Sequence, residues 1–119
     1  MHLVDLHRDF TYESAHMLPY VPEGHKCGRM HGHSYHLKVT VRGPIGDDGF
    51  VMDFANMDAV VAPIIKELDH HTLNDILENP TVEWQLVWLW DRLRDLPWLH
   101  ELTLQETDRN SATYRGEAA

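Results

Sequence analysis

The sequence predicts an α+β fold, an antiparallel sheet carrying two helices on one face. Three observations predict it. Residues 35–42 alternate apolar and polar, as in a strand with one buried face. Residues 54–68 and then 82–93 repeat apolar side chains three and four apart, as in two helices with buried stripes. Alternating segments come before and after these helices. The order strand, strand, helix, helix, strand, strand is satisfied by packing both helices on one side of a single sheet.

The elements follow in order. From Leu6 to His16 polar and apolar residues roughly alternate, giving a first strand. Pro19, Pro22, Gly24 and Gly28 then mark a long loop. In the second strand Tyr35, Leu37, Val39 and Val41 face one way, and His36, Lys38, Thr40 and Arg42 the other. Gly43 to Gly49 is rich in turn residues, and Phe50 to Met52 is expected to continue the sheet as a hairpin. Asp53 is positioned to cap the first helix, whose stripe is Phe54, Met57, Val60, Val61, Ile64, Ile65 and Leu68. Pro63 predicts a kink or an early break in it. Asn79-Pro80-Thr81 reads as the start of the second helix, with Pro80 in its first turn. Val82, Leu86, Leu89, Trp90 and Leu93 form its apolar face, widened by Trp84, Val87 and Trp88. Pro97 is expected to end it. Leu102 to Glu106 and Ala112 to Arg115 read as the last two strands.

A length of 119 residues fits one domain covering 1–119. The formal net charge of -9 repels a phosphate backbone and argues against nucleic acid as a partner. No apolar run is long enough to span a membrane. Charges at Asp5, Arg8 and Asp9 do not fit a secretion signal. The sole cysteine, Cys27, excludes an intrachain disulfide, and the chain is expected to be cytoplasmic.

Ten histidines are spread along the chain. His31-Gly32-His33 places two imidazoles at i and i+2, on one side of an extended segment. His16 ends the first strand, which would pair with the second. Three neutral imidazoles with an open fourth position make a catalytic zinc site. A His-x-His pair alone is more often a surface feature, and spacing alone does not select His16. Cys27 lies among His25, Lys26 and Arg29, whose charges favour a thiolate; without further context a lone cysteine is more often an inert thiol. Asp69 and His70 suit a carboxylate–imidazole pair only if the helix end turns sharply, and otherwise read as a charged helix terminus. Glu106 shares parity with Leu102 and Leu104, so its carboxylate falls on the apolar face. Either the strand has already left the core at that point, or the carboxylate awaits a partner, such as a guanidine-like ring edge with two parallel N–H donors.

Taken together, the segments resemble the 6-pyruvoyltetrahydropterin synthase superfamily. The resemblance runs from Asp9 to Glu117. It rests on Asp9-Phe10 through Ala15-His16, Pro22 to Arg29, His31-Gly32-His33-Ser34, Met52-Asp53-Phe54, Leu68-Asp69-His70-His71 and Leu73-Asn74-Asp75. Asn79-Pro80-Thr81 with Glu83, Gln105-Glu106-Thr107 and Tyr114-Arg115-Gly116-Glu117 complete it. It implies a tunnelling fold of ββααββ subunits that assemble into a barrel. A homohexamer, a dimer of trimers with active sites between subunits, would be typical. It implies His16, His31 and His33 as zinc ligands, Cys27 as the catalytic thiol, and Asp69 with His70 as the proton relay. It further implies Glu106 as the anchor of the pterin ring, joined by Thr81 in substrate binding. Lys26 and Arg29 are candidates to hold a triphosphate, although solvated loop charges fit them as well.

Within the superfamily, three residues separate Cys27 from His31. This short gap resembles the branch that makes 6-carboxytetrahydropterin from 7,8-dihydroneopterin triphosphate, with release of acetaldehyde and triphosphate, on the way to 7-deazapurines such as queuosine. The alternatives are triphosphate elimination of the 6-pyruvoyl type and a non-catalytic zinc-binding domain. The tryptophans between Thr81 and Leu93 have no explanation at the level of sequence.

Overall fold

Tyr35, Leu37, Val39 and Val41 are fully buried in the computed structural model, which describes residues 1–119, while His36, Lys38 and Arg42 are exposed. The alternation therefore sets the two faces of the sheet. Strand β1 spans Leu3–His16 and β2 spans His31–Pro44, both longer than the alternation alone suggested. They pair antiparallel from Leu3↔Pro44 to His16↔His31. β3 (His71–Thr72) adds a short parallel pairing to β1 at Ser14 and Ala15. β4 (Leu99–Thr107) pairs antiparallel with β2, and β5 (Asn110–Tyr114) with β4. The sheet order is β3-β1-β2-β4-β5.

Both helices pack on the face that carries Tyr12, Tyr35, Leu37, Val39, Val41, Leu102 and Leu104. Helix α1 (Phe54–Leu68) lies against β1, and α2 (Val82–Leu93) against β4 and β5. Asp53 caps α1 by accepting from the Ala55 N–H, and Thr81 caps α2 by accepting from the Trp84 N–H. Arg8 ties β1 to α1 through a two-point bond to Asp58, at 3.0 and 2.9 Å. No helix is long and apolar enough to cross a membrane.

Several local expectations are corrected. Phe50 to Met52 is not a strand. Next to them the end of β2 is already flanked by Leu3 on one side and by the Trp98 carbonyl, bonded to the Arg42 N–H, on the other. Phe50 instead closes a turn on Gly46 and Asp48. Helix α1 continues through Pro63 to Leu68. A mid-helix proline costs about 3 kcal/mol, whereas burying Ile64, Ile65 and Leu68 beyond it returns about 1.5–3 kcal/mol each. Pro80 precedes the Thr81 cap instead of entering the first turn, and α2 stops at Leu93, four residues before Pro97. Thr40 is buried although it points to the polar face, where its hydroxyl meets His7 Nδ1 at 2.8 Å.

The tryptophans are only partly a core feature. Trp84 is exposed, and the fully buried position beside it is Gln85. Trp88 lies under the Arg92 guanidinium at 5.1 Å. Trp90 packs edge-on against Tyr114 and covers Gly116, where a Cβ would sit 2.5 Å from the indole.

Candidate metal centre and ligand cleft

Antiparallel pairing places His16 opposite His31, and the two-residue period puts His33 on the same face. The rings converge with centroids 4.6 Å apart for His16–His31, 5.2 Å for His16–His33 and 4.9 Å for His31–His33. One ligand nitrogen from each lies within 4.8 Å of the others.

The tautomers follow from the second ring nitrogen. His16 Nδ1 is 2.8 Å from the Pro80 carbonyl, and His31 Nδ1 is 2.6 Å from the Arg29 carbonyl. A carbonyl only accepts, so both Nδ1 atoms carry the proton and both Nε2 atoms present lone pairs. Yet the two Nε2 atoms face each other at 3.0 Å. Two lone pairs at that distance repel unless a cation or a shared proton lies between them. His33 Nε2 is also buried, has no hydrogen-bond partner, and has the acceptor Glu106 Oε1 3.5 Å away. Burial lowers the pKa of His16 and His33, and the neighbouring imidazoles push the same way. These shifts favour the neutral imidazole at His16 and His33, the form that binds metal. A tetrahedral ion with nitrogens at 2.0–2.1 Å sets them about 3.4 Å apart, close to the observed approach of His16 and His31. The donor set therefore fits a divalent ion that prefers imidazole.

Glu106 lies beside this trio, on the helix-facing side of β4, as its parity predicted. It lines a cleft of about 350 Å³ with Leu18, Thr81, Val82, Glu83, Asn110 and Ser111. That volume is in the range of small-molecule sites. The cleft wall comes from the N-terminus of α2 and the β4–β5 edge, so Thr81 serves both as helix cap and as lining.

Asp69 and His70 form the pair that spacing left open. His70 takes φ 57, the left-handed region rarely used outside glycine. Its N–H donates to the Glu13 carbonyl at 2.6 Å, while the Glu13 N–H donates to Asp69 Oδ1 at 2.8 Å. β1 thus clamps the sharp turn from outside. Asp69 Oδ2 then meets His70 Nδ1 at 2.9 Å. The Glu13 N–H, followed by the His70 hydrogen bond, holds the Asp69 carboxyl below its usual pKa. A carboxylate only accepts, so His70 Nδ1 carries the proton in this contact and Nε2 is the ring nitrogen left unengaged by Asp69. His70 and His33 line one cleft of about 420 Å³ with Glu13 and Ser34.

Cys27 sits half-buried in a short 3₁₀ turn, Lys26–Gly28, capped by His25 Nδ1 at 3.0 Å from the Cys27 N–H. It lies outside the converging trio and, like the exposed Lys26 and Arg29, lines neither cleft. Within one chain, then, the trio, Glu106 and Thr81 come together, and His70 shares only the outer cleft with His33. Sequence reasoning missed the lining residues Leu18, Glu83, Asn110 and Ser111. It also missed Gln85, whose position four residues before Leu89 puts a polar residue on an apolar stripe.

The family model for 6-pyruvoyl tetrahydropterin synthase matches residues 5–117. The chain is 38% identical to a 6-carboxy-5,6,7,8-tetrahydropterin synthase of Synechocystis, over 92% of this chain and 91% of that protein. It is 46% identical to a dihydroneopterin monophosphate aldolase of Pyrococcus furiosus over 65 residues, 55% of this chain and 56% of that protein. Its fold superposes on the 6-pyruvoyl tetrahydropterin synthase of Caenorhabditis elegans with a TM-score of 0.89 at 26% identity, covering 98% of each chain.

Proposed function

The chain belongs to the 6-pyruvoyl tetrahydropterin synthase family, and we propose that it converts 7,8-dihydroneopterin triphosphate and water to 6-carboxy-5,6,7,8-tetrahydropterin, acetaldehyde and triphosphate. The observation that carries the reading is the converging histidine trio, buried at His16 and half-buried at His31 and His33, with Glu106 at its edge, in a chain 38% identical over 92% of its length to a 6-carboxy-5,6,7,8-tetrahydropterin synthase.

His16, His31 and His33 would hold a zinc ion, which supplies Lewis-acid stabilisation of negative charge on the substrate's side-chain oxygens. The remaining chemistry falls to the chain's own residues. Glu106 accepts paired N–H donors from the pterin ring edge and fixes the ring in the cleft with Thr81. Holding the ring positions the side chain for proton transfer. His70 Nε2, freed as a base by Asp69, and the Cys27 thiolate move protons on different sides of that side chain. Lys26 and Arg29 are suited to the triphosphate.

Cys27 does not line the cleft that His70 shares with His33, which supports a site completed between subunits. The long open edge of β1, paired to β3 only at Ser14 and Ala15, offers a route to assembly. The reading is a cytoplasmic homo-oligomer, a hexamer of two trimers, whose product feeds 7-deazapurine synthesis. The test is metal-dependent turnover. Protein stripped by a chelator should lose activity on dihydroneopterin triphosphate and regain it at about one zinc per chain. Full activity in the stripped, metal-free protein would overturn the reading.

A further inference from the structure

Gln85 is a fully buried polar side chain in an apolar layer, on the stripe of α2 that also buries Leu89 and Leu93. An amide left unpaired there would be strongly unfavourable, so its partners carry the meaning. Gln85 Oε1 accepts from the Tyr12 hydroxyl at 2.8 Å, and Gln85 Nε2 donates to the Pro80 carbonyl at 3.0 Å. The same carbonyl accepts from His16 Nδ1 at 2.8 Å. The two side-chain donors occupy both of its lone pairs. Tyr12 is itself fixed, buried and stacked on Tyr35 with ring centroids 4.9 Å apart.

These four groups form one chain of hydrogen bonds. It runs from β1 at Tyr12, through α2 at Gln85, to the Pro80 carbonyl, and back to β1 at His16. We propose that Gln85 is a positioning residue of the metal centre. With Tyr12 it fixes the Pro80 carbonyl, and that carbonyl sets the tautomer and ring orientation of His16. The inference rests on reading the histidine trio as a metal site. Its physical basis is that partners which orient a ligating imidazole contribute to metal affinity without touching the metal. Pro80 also precedes Thr81, so the segment that orients His16 leads directly into the wall of the ligand cleft.

The test is zinc affinity, measured by competition with a chromophoric chelator on the full chain. Wild type is compared with Gln85→Leu, Tyr12→Phe, the double variant, and Ile65→Val as a core control on α1. Gln85→Leu should weaken zinc about 10–100-fold, the usual effect of losing such a partner. Tyr12→Phe keeps the ring stack and should weaken zinc less. The double variant should lose less than the product of the two single effects, because both act through one carbonyl. Ile65→Val should lower the melting temperature and leave zinc affinity unchanged. Tyr12→Phe and its comparison with Ile65→Val carry the test even if Gln85→Leu does not fold. Wild-type affinity in both Gln85→Leu and Tyr12→Phe, or an equal loss in Ile65→Val, overturns the positioning role and leaves the metal reading standing. A wild-type chain that takes up no zinc overturns both.

Discussion

Asp69→Asn separates the tautomer of His70 from everything else in the site. In the wild type, Asp69 accepts twice, from the Glu13 N–H at 2.8 Å and from His70 Nδ1 at 2.9 Å. Asparagine keeps the size but has only one accepting oxygen. The Glu13 N–H belongs to the backbone and cannot change sides, so the asparagine oxygen stays with it and its NH₂ turns to His70. An NH₂ can only donate. His70 must then present a lone pair at Nδ1 and carry its proton on Nε2. The nitrogen that faces outward stops being a base, although no atom has moved far. A lost general base costs about 10²–10⁴-fold in rate, and an inverted tautomer falls at the upper end of that range. The Glu13 bond survives, and the Asp69 side chain bonds to Glu13 and His70, not to the trio. Zinc content and melting temperature should therefore stay close to wild type while turnover falls by at least 100-fold. The assay is kcat on dihydroneopterin triphosphate alongside metal analysis and thermal melting. Turnover within about threefold of wild type would refute the reasoning, as would a loss of zinc matching the loss of rate.

Other perturbations follow from the same geometry. Glu106→Gln removes the charge and one acceptor from the cleft, and should weaken a bound pterin by about 1.5–3 kcal/mol; calorimetry with unchanged affinity would remove it as the anchor. Cys27→Ala should retain zinc, since the thiol lies outside the trio, and lose about 100-fold or more in turnover; loss of zinc instead points to a ligand role. His16 and His33 have pKa values depressed by burial. The metal-free fold is then favoured by their neutral state above the unfolded histidine value near 6.5, and loses that contribution as pH falls through the lower folded values. Melting of the stripped protein should drop on acidification below about pH 6.5, and a rise over that interval contradicts the assignment.

How much of this was legible depends on whether the cause is local. His31 and His33 are visible because a two-residue spacing on a strand fixes their common side, and Glu106 because it shares parity with Leu102 and Leu104. The turn at His70 was not legible. Its left-handed backbone is held by Glu13, far away in sequence, through main-chain atoms that any residue would provide. The Pro80 and Arg29 carbonyls that set the histidine tautomers are silent in sequence for the same reason. Phe50 to Met52 misled because its apolar content suits a strand, yet both sides of β2 are already taken there. Pro63 misled because its local cost is outweighed by the stripe that continues beyond it. Gln85 leaves a trace, a polar residue where the helical period asks for an apolar one, but its partners are defined only once α2 is laid on the sheet.

The central claim is the fate of the substrate side chain. Zinc-loaded protein is incubated anaerobically with 7,8-dihydroneopterin triphosphate, the pterins are separated, and acetaldehyde and triphosphate are assayed in the same reaction. The account predicts 6-carboxy-5,6,7,8-tetrahydropterin with equal amounts of acetaldehyde and triphosphate. Triphosphate released with 6-pyruvoyltetrahydropterin and no acetaldehyde would contradict it.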